Sequence, residues 1–77
     1  MAKISARGAT EVARRRVEYG SGVSTTYVLC SDGRVLSKIH YGDGTSSGFS
    51  LKARNCSGVE QFDVWVRRRT PDDAKIV

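Results

Sequence analysis

The stretch "TTYVLCSDGRVLSKIHY", residues 25–41, constrains the fold of this chain more than any other. Two runs rich in Val, Ile, Leu and Tyr flank Asp32-Gly33, and Asp-Gly suits a two-residue hairpin because both central positions of a type I′ turn need positive φ. An antiparallel hairpin is therefore expected. With Asp32 and Gly33 as the loop, Ser31 pairs with Arg34, Cys30 with Val35, Leu29 with Leu36 and Tyr27 with Lys38. One face then carries Thr26, Val28, Cys30, Val35, Ser37, Ile39 and Tyr41 and suits a core. The other, with Tyr27, Leu29, Arg34, Leu36, Lys38 and His40, mixes apolar and cationic groups.

The flanking segments extend this pattern. "FSLKAR" alternates Phe49, Leu51 and Ala53 against Ser50, Lys52 and Arg54, as a third strand of a meander would. "QFDVWVR" alternates Phe62, Val64 and Val66 against Asp63, Trp65 and Arg67, and its β-branched and aromatic content favours a strand. The same residues also permit a helix over 58–69, with Val59, Phe62 and Val66 on one stripe. A first strand is expected from about residue 11 to 19, after an irregular or briefly helical lead-in over 1–10. "TPDD" opens like a helix at Thr70, but too few residues follow, so 71–77 read as a flexible tail or an arm that docks on a partner.

The fold class is thus mainly β: one small antiparallel meander of four or five strands over residues 1–77, as a half-barrel or single sheet. The alternative is α+β with a C-terminal helix. The expected core is Val17, Val28, Cys30, Val35, Ile39, Phe49, Leu51, Phe62, Val64 and Val66. A chain of 77 residues buries only about 60 to 65% of its unfolded surface, which leaves little stability in reserve.

Composition narrows the function classes. Thirteen Lys and Arg against eight Asp and Glu give a formal charge of +5, which favours anionic partners. Cys30 and Cys56 lie in no metal-ligand spacing, so neither a zinc site nor any other cofactor is expected. The single histidine, His40, lies on the strand face opposite Cys30 in the expected register, which argues against a Cys30-His40 dyad, while Cys56 with His40 stays open beside the plainer reading of a turn cysteine and a solvated histidine. "GDG" and "GSG" lack the length and lysine of a phosphate-binding loop. A non-enzymatic protein is expected, without metal or catalytic residues. No apolar run suits a signal peptide or a membrane span, so a cytoplasmic setting and no membrane partner are expected.

The arginine triplets carry the binding hypothesis. In a strand, Arg67 and Arg69 share a face with Trp65, while Arg68 falls with Val64 and Val66. Trp65 and Tyr27 would stack on bases, and Lys38, Lys52, Arg54, Arg67 and Arg69 would neutralise the phosphates of a nucleic-acid backbone. The competing reading has Trp65 closing the edge of a small core, with arginine stems packed across its ring. A second functional reading is a binder of a host bacterial protein, using a strand edge or the Tyr27, Leu29, Leu36 and Trp65 patch. In a third, the mixed hairpin face joins copies of the chain into a homo-oligomer.

"MAKISARGATEVAR", "YVLCSDGRVL" and "SGF" resemble small accessory proteins from bacteriophages that infect actinobacteria. The resemblance covers residues 1 to about 51, and the chain departs from the pattern from Asn55 onward. It implies a phage origin and a role in the host cytoplasm. Such proteins are mostly of unknown function, so it transfers no site residues.

Overall fold

The computed structural model describes residues 10–77; the expected lead-in over 1–10 lies almost wholly outside them. Four strands form a meander: β1 (Glu11–Glu18), β2 (Ser24–Cys30), β3 (Val35–His40) and β4 (Ser50–Ala53). The helix α1 (Val59–Arg69) follows, and the short strand β5 (Lys75–Ile76) completes an open five-stranded sheet in the order β4-β3-β2-β1-β5. All its pairings are antiparallel. The mainly β meander is as expected, as a single sheet.

The hairpin forms, but its register is one residue off the expected one. Leu29 pairs with Val35, Val28 with Leu36 and Tyr27 with Ser37. The loop holds three residues, closed by hydrogen bonds from Cys30 N to Arg34 O (2.8 Å) and from Gly33 N to Cys30 O (3.0 Å). Gly33 has φ +90°, the left-handed residue that ends a type I turn in a three-residue hairpin. Asp32 favours this turn by accepting from Arg34 N at 3.1 Å and from Arg34 Nε at 2.6 Å.

Because side chains alternate, the slip exchanges the faces of β3 relative to β2. Tyr27 and Leu29 join Val35 on the core side, and Val28 and Cys30 join Leu36 in a separate buried cluster. The expected grouping of Val28 and Cys30 with Val35 is corrected accordingly. A further irregularity between Val35 and Leu36 sets Leu51 opposite Leu36 and Ala53 opposite Val35, so β4 does not keep strict alternation. Phe49 and Leu51, expected in the core, are 41% and 42% exposed at this edge.

The segment expected as a strand, with a helix over 58–69 as the alternative, is the helix α1. Phe62 and Val66 are its buried residues, and a separation of four places them on one helical face. Val64, which a strand would have buried beside them, is 44% exposed. The ends suit a helix. Gln61 Oε1 reaches back to accept from Ser57 N (2.7 Å) and Ser57 Oγ (2.5 Å), and Thr70 Oγ1 donates to Val66 O (2.8 Å). Glu60 in the first turn and Arg67, Arg68 and Arg69 in the last have the charge signs that oppose the helix dipole.

The main core lies between α1 and one face of the sheet: Val17, Tyr27, Leu29, Val35, Cys56, Phe62 and Val66, with Ala13, Tyr19, Ala53, Trp65 and Ala74 at its margin. Arg15 ties the layers together, donating to Asp63 on α1 at 2.7 and 3.3 Å. After α1 the chain turns through an Ala74 N to Pro71 O bond and returns as β5. Lys75 pairs with Glu18 and Ile76 with Val17, so part of the expected tail is docked on β1 of its own sheet.

A basic aromatic groove on the helix side

The helix changes which basic residues can act together. Trp65 and Arg69 are separated by one helical turn, and the Arg69 guanidinium lies 4.3 Å from the Trp65 ring centroid. Tyr27 meets the same ring edge to face, with centroids 5.2 Å apart at 82°. Trp65 is half-buried, its ring held between a core tyrosine and an arginine. The packing alternative for Trp65 therefore describes its surroundings better than a ring displayed for stacking. Tyr27 is itself buried, and that burial pushes its phenol pKa up, with a smaller downward effect from Arg69.

A groove of about 430 Å³ runs between β4 and α1, lined by Tyr27, Lys52, Trp65, Arg68 and Arg69. Strand alternation would set Arg68 on the side of Val64 and Val66; in the helix it joins this groove. Three cations and two aromatic rings thus converge, and no carboxylate lines the groove.

The other expected contacts lie elsewhere. Lys38 pairs with Thr26 on the sheet face away from α1, where its ammonium lies 5.4 Å from the Phe49 ring centroid. Arg67 faces Asp63, whose carboxyl is held below the usual carboxylate range chiefly by the Arg15 hydrogen bond, with a minor contribution from Arg67. Arg54 is exposed beyond the end of β4 and does not line the groove. The single stripe expected from a strand is therefore divided: Tyr27, Lys52, Trp65 and Arg69 come together, whereas Lys38, Arg54 and Arg67 stand apart.

The apolar patch considered for protein binding is also changed. Leu29 and Leu36 are 2% and 8% exposed, on opposite faces of the sheet, and neither can serve a partner. Among the described residues no group of His, Cys, Asp and Glu could hold a metal ion, and no helix is long and apolar enough to cross a membrane. Cys30 and Cys56 are free and buried. Burial pushes the Cys30 thiol pKa up, against the direction a nucleophile requires.

No protein-family model, curated protein or solved structure matches this chain.

Proposed function

We propose that this protein binds the phosphate backbone of nucleic acid through the groove between β4 and α1, without catalysis. The convergence of Lys52, Arg68 and Arg69 on one groove, with no carboxylate lining it, is the observation that carries this reading. The aromatic groups take a different part from the one the sequence suggests. Trp65 and Tyr27 form a platform that orients Arg69, and a guanidinium fixed in this way loses little freedom when it meets a phosphate. Recognition is accordingly of backbone rather than of base sequence.

The test is retention of labelled single-stranded and duplex oligonucleotides at ~50 mM salt, where counterion release contributes most. Binding should be insensitive to sequence and weakened by Arg69→Glu. Absence of binding at that salt removes the proposal.

The exposed edge strand β4, with Leu51 in it and Phe49 just before it, supports a second reading: pairing with a strand of a host bacterial protein or of another copy of this chain. The resemblance to phage accessory proteins suits either reading. A partner recovered from host lysate that survives nuclease treatment would favour the second.

A further inference from the structure

The sheet face away from α1 holds a separate polar groove that the proposal above does not use. It encloses about 580 Å³ between the ends of β1, β2 and β3 and the loop after β3, and Arg14, Arg16, Ser24, Thr26, His40 and Tyr41 line it. Strand pairing sets Arg16 beside Thr26, and Ser24 directly beside His40. The loop is held in shape by bonds from Tyr41 N to Thr45 O (2.8 Å) and from Gly44 N to Tyr41 O (3.1 Å).

One atom in this groove is out of order. Ser24 is 2% exposed, and its Oγ is buried with no hydrogen-bond partner. A buried hydroxyl without a partner is uncommon in a native fold and calls for an explanation. Its neighbour Thr26 is satisfied, since Thr26 Oγ1 and His40 Nε2 are 3.1 Å apart. Ser24, a residue of the groove lining, is left with an unused hydroxyl that a small side-chain rotation would turn toward the groove.

The nearby cations are held to different degrees. Arg14 is engaged by Glu11 at 2.8 and 3.0 Å. Arg16 approaches Glu18 only at 3.6 Å, too long for a hydrogen bond. Arg16 and Ser24 line the same groove from the neighbouring strands β1 and β2. A phosphate monoester presents three strong acceptor oxygens against a carboxylate's two, which matches the Arg16 fork, the Ser24 hydroxyl and Arg14 around one groove.

We infer that this groove is a binding site for a small phosphomonoester, its phosphate held by Arg16 and Ser24 and its body lying along Tyr41. The volume exceeds that of a bare anion and falls in the range of small-molecule pockets, roughly 300 to 1,000 Å³. Tyr41, 45% exposed, offers the body an aromatic surface at the rim.

The test is an amide NMR titration of the full chain with inorganic phosphate, with adenosine monophosphate and with adenosine. Both phosphates should shift Ser24, Thr26 and His40, the nucleotide should bind more tightly, and adenosine should shift nothing. Arg16→Gln and Ser24→Ala should each weaken binding about ten-fold. Ser24→Ala should at the same time leave the melting temperature unchanged or higher, because it removes an unsatisfied hydroxyl. A role in packing alone would give the opposite stability effect. Arg68→Glu should leave phosphate binding unchanged, which separates this site from the groove beside α1. Shifts confined to α1, no shifts at all, or unaltered affinity in either Arg16→Gln or Ser24→Ala would overturn the inference.

Discussion

Arg69 rests on the face of Trp65, 4.3 Å from its centroid, while Tyr27 abuts the same ring edge to face. Trp65 thereby belongs to the core margin and to the basic groove at once. Trp65→Ala should cost about 2 kcal/mol in urea unfolding, less than a fully buried aromatic because the ring is only half covered. Arg69→Ala should cost far less, yet it should change the emission of the only tryptophan. An Arg69→Ala spectrum identical to the parent's would show that the stacked geometry does not persist in solution.

The Arg15 to Asp63 pair is a polar link between the sheet and α1. Asp63 titrates below its ordinary range when folded, so the stability it contributes is present above the unfolded value of about 3.9 and is lost as pH falls through the lower folded value. Asp63→Asn should therefore be less stable than the parent near neutrality, and the two should converge in acid. Chemical denaturation from neutral pH downward measures this; a stability difference that stays constant into strong acid would exclude the linkage.

Gly33 combines φ +90° with close backbone neighbours, since an added Cβ would lie 3.3 Å from both Cys56 N and Cys56 O. Cys56 N also donates to Gly33 O at 2.9 Å. Gly33→Ala should destabilise the fold by about 1 to 3 kcal/mol through the left-handed backbone and the displaced Cys56 segment. Thermal melting checks this, and a neutral Gly33→Ala would refute the three-residue loop.

The hairpin itself was legible because Asp-Gly between β-rich runs is a local signal. Its register was not, because a two-residue and a three-residue loop both use that glycine, and Cys30 and Leu29 serve equally well as apolar partners for Val35. The helix over 58–69 stands in the sequence only as the alternative to a strand for a related reason: Phe62 and Val66 satisfy a period of two and a separation of four alike. The distinguishing features are the ends, with Ser57 before the helix paired to Gln61 in its first turn and three arginines in its last. Once α1 is a helix, Arg68 enters the groove and Arg67 leaves it, which strand alternation could not anticipate. The unpartnered Ser24 left no mark in the sequence, since it depends on how the strands register.

Both thiols should resist modification while the chain is folded, as Cys30 and Cys56 are buried and burial raises the Cys30 pKa. Alkylation followed by mass spectrometry should proceed only at the rate of opening. Immediate labelling of Cys30 in native buffer would contradict its place on the sheet.

The salt dependence of oligonucleotide binding tests the backbone-binding proposal most directly. Three cations in the groove beside α1, Lys52, Arg68 and Arg69, predict a slope of log K against log salt of about −2.7 on duplex DNA, and Arg68→Ala should reduce its magnitude by about 0.9. A slope unchanged by Arg68→Ala, or no measurable binding at low salt, would contradict the account.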